Sequence, residues 1–257
     1  MKIRGMQTKT DVFITLCCAV FLLSGLGAIG VNGREKAKQA ACASQISQHL
    51  QALFAYGNEH QGNLPRPATA GAWLQDVAIN TVHEILDLGM IREMFYCPSN
   101  VNNQRYQDQF WMYNNQSWDG RRFTSYNSGS FVVSGYCYIL QLNVPGASSA
   151  VRPSIVAYPG DTQKKLWVKT IFEKDPGSAE LVTDSTMSIP QPQYPNGNFA
   201  GIAGGMYVLH GVMDMTSHLK TAAEPWGGNI GYLDGHVAWR PFKDMRRRYG
   251  ATPGFWW

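Results

Sequence analysis

Twenty consecutive residues without a charge, Val12 to Val31 (VFITLCCAVFLLSGLGAIGV), constrain this chain more than any other feature. A helix rises about 1.5 Å per residue, so a run of that length spans the ~30 Å hydrocarbon core of a bilayer. Gly25, Gly27 and Gly30 lower its hydrophobicity but are tolerated in membrane helices. A cleaved signal peptide has a shorter apolar region, about 7–15 residues, followed by small residues at the cleavage site. Here the polar run Asn32-Gly33-Arg34-Glu35-Lys36 follows instead. The stretch predicts a retained single-pass transmembrane helix, with the lipid bilayer as the partner of residues 12–31. Lys2, Arg4 and Lys9 precede it and Arg34, Lys36 and Lys38 follow it, so basic residues do not set its orientation.

Helical periodicity resumes from Glu35 to about Tyr56. Cys42, Ile46, Leu50, Leu53 and Phe54 form an apolar stripe at spacings of three and four, with Lys38, Gln45, Gln48 and Gln51 largely elsewhere on the wheel. No proline occurs until Pro65, so one continuous helix from about Asp11 to Asn58 is expected, ended by the turn residues Gly62 to Pro67. A second helix is expected between Gly71 and Leu88. Residues 102–123 (NNQRYQDQFWMYNNQSWDGRRF) read as a long surface loop pinned by its aromatics, or as a platform stacking sugars on Trp111, Tyr113 and Trp118. Ser130–Leu140, Leu166–Phe172, Glu180–Thr183 and Tyr207–Leu209 read as strands from their β-branched and aromatic content. Short strands between Gly, Pro and Asn turns favour an α+β fold, a mainly antiparallel sheet packed on the long helix.

The hairpin signal is local and strong. Asp234-Gly235 supplies the turn chemistry of a two-residue type I′ loop, which predicts a hairpin over Asn229–Pro241. That turn would set Leu233 opposite His236, Tyr232 opposite Val237 and Ile230 opposite Trp239. Ile230, Tyr232, Val237 and Trp239 would then share one apolar face against the long helix, leaving His236 exposed beside the turn.

Charge and motifs narrow the function. The formal net charge is +4, of which Lys2, Arg4 and Lys9 less Asp11 supply +2, so the rest of the chain has no basic stripe and no nucleic-acid partner is expected. Lys243, Arg246, Arg247 and Arg248 read as a solvated surface cluster. There is no phosphate-cradling glycine loop, no Gly-x-Ser-x-Gly elbow and no His-Glu-x-x-His, and nothing fixes Asp184 and Asp214 as paired catalytic carboxylates. His210, Asp214, His218, Asp234 and His236 crowd the C-terminal region without metal-ligand spacing. No enzyme, catalytic residue, metal or cofactor is expected. Of the five cysteines, Cys17 and Cys18 lie in the apolar run. Cys42 on the helix stripe and Cys97 in a Cys-Pro-Ser segment form the favoured disulfide candidate, ahead of Cys97 with Cys137.

In organisation the chain resembles type IV pilins and pseudopilins. Residue by residue it is similar to a bacterial set of pilin-like proteins with a prepilin-type N-terminus and a C-terminal His-x9-Asp-Gly processing-associated domain. The matching stretches are Gly33–Lys38 (GREKAK) with Ala41-Cys42, Tyr56–Pro65 (YGNEHQGNLP), Phe95–Ser99 (FYCPS) and Leu181–Asp184 (LVTD). Gly228–Trp239 (GNIGYLDGHVAW) and Phe255–Trp257 complete them. Two departures stand out. The leader counterpart is Gly5-Met-Gln-Thr-Lys-Thr-Asp11, so Gly5, Met6 and Asp11 are the processing candidates, with Asp in place of the family's Glu and one position late. His218 precedes Asp234 by sixteen positions rather than ten, with Leu219–Gly228 as an insertion, so His218, Asp234, Gly235 and His236 carry the motif in altered spacing.

The resemblance implies a pilin-like fold in four parts: a leader-like segment 1–11, a transmembrane helix 12–31, its extramembrane continuation 32–60, and a globular head 61–257. It implies a non-enzymatic, membrane-anchored pseudopilin-like subunit of a type II secretion or type IV pilus-like assembly. Such a subunit would sit in the bacterial inner membrane with an extracytoplasmic head and form homo- or hetero-oligomers with other pilin-like subunits. The competing reading is a monomeric, membrane-tethered module that binds glycan or envelope polymer.

Overall fold

The computed structural model describes residues 10, 14–18, 30–65, 73–127, 129–140, 167–249 and 252–257. The chain divides into two compact units, Met1–Ala37 and Lys38–Trp257. Helix α1 spans Val31–Glu59. It stops where Gln61 turns left-handed (φ 56°) and the Gly62 N–H donates to the Gly57 carbonyl at 2.7 Å, a Schellman-type closure.

Among the described residues no helix is long and apolar enough to cross a membrane. The long helix is too polar to enter hydrocarbon: Arg34, Glu35, Lys36 and Lys38 stand in its first turns and a series of glutamines follows. This finding overturns the expected transmembrane helix, and with it the inner-membrane, single-pass localisation with an extracytoplasmic head. It also overturns the pilin-like fold class, whose defining element is a helix half in the membrane. Of the expected span 12–31, only Ile14–Cys18, Gly30 and Val31 belong to the described residues, and the rest lies outside them.

The larger unit is α+β, with two antiparallel four-stranded sheets. In chain order their strands are β1 (Tyr136–Tyr138), β2 (Glu180–Asp184), β3 (Met187–Gln191), β4 (Tyr194–Asn198), β5 (Gly227–Tyr232), β6 (Val237–Pro241), β7 (Arg247–Tyr249) and β8 (Gly254–Trp256). The first sheet has the order β6-β5-β2-β1 and the second β7-β8-β3-β4. Cys42, Ile46, Leu50 and Leu53 of α1 are at most 1% exposed and cover one face of the first sheet, the same positions that its periodicity marks. On the other face Ile230 and Cys137 join Leu74, Met187 and Phe255 in a second core. Coverage on both faces explains why every residue of β2 is buried rather than alternate ones.

Gly231 sets the distance between helix and sheet. A Cβ there would lie 2.6 Å from Ile46 Cγ2, closer than Cβ atoms approach a neighbour, and a tight 3.0 Å from Leu50 Cδ1. The strand can therefore approach α1 only with glycine at this position.

The hairpin β5–β6 forms, in a register one residue away from the expected one. Ile230 faces Ala238, Gly231 faces Val237 and Asn229 faces Trp239. The loop has three residues, Leu233 to Gly235, with Gly235 at φ 94° and the Tyr232 N–H donating to His236 O at 2.9 Å. Asp-Gly suits this loop as well as the two-residue one, because both need positive φ at the glycine. Leu233 decides between them: its N–H donates to Ala179 O and its side chain is buried in the first core. The slip splits the expected apolar face: Ile230 and Tyr232 belong to the second core, while Val237 packs against the first.

Other elements also differ from expectation, and the described part of Leu166–Phe172 forms isolated bridges at Val168 and Thr170 rather than a strand. Tyr207–Leu209 lies in helix Gly205–His210, closed by Gly211, not in a strand. The first part of the expected helix at 71–88 is the strand Asp76–Ala78, and the helix is Ile79–Asp87. The amide- and aromatic-rich segment is not a surface loop. It folds as helices Val101–Arg105 and Gln107–Trp111 and a small hairpin, with Phe110 and Trp111 fully buried.

Candidate functional site

Four buried groups with ligand chemistry meet where α1 crosses the first sheet. Cys42 comes from α1 and is joined by a disulfide to Cys97, with Cα atoms 5.5 Å apart. Cys97 follows the short helix Arg92–Phe95 in the Cys-Pro-Ser segment. Asp184 ends β2, and His218 precedes the insertion that leads to β5. His218 Nε2 lies 3.2 Å from Asp184 Oδ2 and 3.5 Å from Cys97 Sγ. One ligand atom from each of the four residues lies within 4.8 Å of every other.

Neighbouring residues fix this cluster. Asn229 of β5 donates to Asp184 Oδ2 twice, from its backbone N at 2.7 Å and from Nδ2 at 2.9 Å. Its Nδ2 also donates to Gln39 O at 3.1 Å, tying sheet to helix. Asp184 Oδ1 is buried and accepts no hydrogen bond among the described residues. His218 holds a left-handed backbone (φ 54°), which costs a non-glycine residue free energy and persists only where surroundings impose it. Its ring stands edge-on to Trp239 at 5.1 Å.

Three further buried ionisable groups organise the core. Glu180 accepts from Arg248 and from Trp257 Nε1 at 2.9 Å on one oxygen, and from Arg240 on the other. This pins β7 and the C-terminus to β2. Asp214 accepts from Gln75 Nε2 and from the Met215 N–H, and burial pushes its carboxyl up to about 7. His49 of α1 accepts a hydrogen bond from the Tyr138 hydroxyl at Nδ1 and donates from Nε2 to Met94 O, the arrangement of a neutral ring. Burial lowers its pKa to about 4.

The sequence candidates divide among these places. Cys42, Cys97 and His218 fall in the buried cluster, and the carboxylate beside His218 is Asp184, not Asp234. Asp234 and His236 form an exposed pair in the hairpin turn at 2.5 Å, with His236 stacked on Tyr232. His210 bonds Tyr113 O, apart from the other histidines of the crowded C-terminal region. Arg248 departs from its reading as a solvated charge: it is 1% exposed and ion-paired. Gly5, Met6 and Asp11 lie outside the described residues. Sequence reading missed Asn229 altogether and saw Asp184 only as a conceivable acid. The signal available was the matching LVTD stretch, which marks the position without revealing its neighbours.

Two surface features add to the site. Lys243, Arg246 and Arg247 line a groove of about 1090 Å³ together with Tyr194, Phe242 and Trp256. Tyr207, Val208, Leu209 and Met213 are 47%, 81%, 50% and 37% exposed, an apolar ridge on and beside the helix Gly205–His210. Met213 O accepts from Asn102, next to the exposed Val101. No protein-family model matches this chain, and neither a curated protein nor a solved structure does.

Proposed function

We propose that this chain is a non-enzymatic structural subunit that assembles with copies of itself or with other subunits of a type II secretion or type IV pilus-like assembly. The observation that carries the reading is the ridge of Tyr207, Val208, Leu209 and Met213. Large apolar side chains exposed together mark interaction surfaces, because water penalises leaving them uncovered. The employment of Glu180, Asp184 and Asp214 inside the core supports a structural role over catalysis. Analytical ultracentrifugation over a concentration series tests it. Self-association should appear at micromolar concentration and disappear in the Val208→Glu/Leu209→Glu variant. A wild-type chain that stays monomeric and captures no related chain sinks the proposal.

A second reading, binding of an anionic envelope polymer, draws on the groove, where aromatic rings and three cations line one concavity. Retention on an acidic polysaccharide that Lys243→Glu and Arg246→Glu abolish would favour it. The segment at 102–123 no longer supports glycan binding, since Trp111 is in the core.

A further inference from the structure

We infer that Cys42, Cys97, Asp184 and His218 form a redox-gated binding site for a zinc-class divalent cation, closed while the disulfide stands and opened by its reduction. A tetrahedral zinc ion has bonds of about 2.3 Å to sulfur and about 2.0–2.2 Å to nitrogen and oxygen. The edges of that tetrahedron are therefore about 3.3–3.4 Å from nitrogen to oxygen and about 3.6 Å from nitrogen to sulfur. His218 Nε2 to Asp184 Oδ2, at 3.2 Å, and His218 Nε2 to Cys97 Sγ, at 3.5 Å, already match two of them. Breaking the S–S bond frees the sulfurs to separate to the about 3.8 Å of the sulfur–sulfur edge.

The surroundings have the other marks of a metal site. All four residues are at most 1% exposed. Asn229 orients the carboxylate from outside, the role that outer hydrogen bonds play at metal centres. Asp184 Oδ1 is a buried carboxyl oxygen that accepts no hydrogen bond among the described residues, which a bound cation would compensate. The left-handed backbone of His218 aims its ring into the cluster at a conformational cost.

The chemistry balances with a dithiol as reductant. The dithiol gives two electrons and two protons to the Cys42–Cys97 bond and becomes a cyclic disulfide, leaving two cysteine thiols. Metal binding then releases those two protons, so that two thiolates, one carboxylate and one neutral imidazole hold the dication. The resulting net charge of the site equals that of three cysteines and one histidine around zinc, a common structural set.

Cobalt(II) titration of the full chain, in a Cys17→Ser/Cys18→Ser background, tests this directly. The disulfide is reduced anaerobically with a water-soluble phosphine, which takes up the oxygen of water and leaves two thiols. The reduced chain should keep its near-ultraviolet circular dichroism and take up about one Co2+, with tetrahedral d–d bands and thiolate-to-cobalt charge transfer that Zn2+ abolishes. The oxidised chain should show neither band, and His218→Ala and Asp184→Asn should weaken binding at least tenfold. Bound Zn2+ should also slow the alkylation of Cys42 and Cys97 relative to the reduced, zinc-free chain with its ligand set unsubstituted, a readout independent of whether those variants fold. Collapse of the dichroism on reduction overturns the inference, as do absence of the charge-transfer band and alkylation rates of Cys42 and Cys97 in the reduced chain that zinc leaves unchanged.

Discussion

Asn229 holds the carboxylate of Asp184 with two hydrogen bonds to the same oxygen, 2.7 Å from its backbone N and 2.9 Å from Nδ2. The second of these donors also reaches Gln39 O on α1, so one amide joins helix and sheet. Asn229→Ala removes both side-chain bonds and leaves a buried charge with less support, which should cost about 2–4 kcal/mol. Asn229→Asp should cost more, because it sets a second carboxylate against Asp184. Urea midpoints of the three proteins check the order, and a variant ranking of Ala below Asp would refute the electrostatic account.

Close approach of β5 to α1 depends on Gly231. Gly231→Ala forces a methyl group against Ile46 Cγ2 and should destabilise by about 1–3 kcal/mol. Ile46→Ala alone should cost about 2–4 kcal/mol through the cavity it leaves. Together the two changes should cost less than their sum, since the cavity receives the new methyl. Strict additivity would show that the clash does not exist.

Asp214 and His49 should give opposite pH dependences. The Asp214 carboxyl moves from 3.8 to about 7 on folding, chiefly through burial. Its contribution is complete below pH ~4 and is lost as pH rises through ~7. The His49 ring moves from 6.5 to about 4, again chiefly through burial. Its contribution is complete above pH ~6.5 and is lost as pH falls through ~4. Asp214→Asn should therefore make stability fall more steeply from pH 6.5 to 4, and His49→Gln should make it fall less or rise, each by on the order of 2–4 kcal/mol. Denaturant titrations at pH 4, 5, 6 and 7 read both slopes, and unchanged slopes would contradict the assigned shifts.

The turn tests conformation without contact. Gly235 sits at φ 94° in open space, with Phe54 Cε2 at 3.9 Å its nearest neighbour for an added Cβ. Gly235→Val should cost about 1–3 kcal/mol through forced positive φ alone. Gly235→Asn should cost clearly less, because asparagine tolerates left-handed backbone. Equal melting temperatures for the two variants would mean that the loop relaxes.

Local rules carried the sequence as far as local physics reaches. The stripe of Cys42, Ile46, Leu50 and Leu53 marks the buried face of α1, because a 3.6-residue period leaves one way to cover apolar side chains. Asp234-Gly235 marks the turn, because few residues accept positive φ. What the turn signal could not decide was the register, since Leu233 is drawn out of the ladder by a core and a partner, Ala179, that lie far away in sequence. The same limit explains Tyr207–Leu209: β-branched and aromatic content suggests a strand, yet the chain forms a helical turn there, closed at Gly211. Arg248 read as solvated because its partner Glu180 is 68 residues distant. An uncharged run at 12–31 predicted a membrane span from composition alone, whereas among the described residues no helix is long and apolar enough to be one. The cluster at Asp184 is the clearest case of tertiary decision. Cysteines 55 positions apart, a carboxylate and a histidine show no ligand spacing in the sequence, and only the crossing of α1 over β2 and β5 brings their ligand atoms within 4.8 Å of one another.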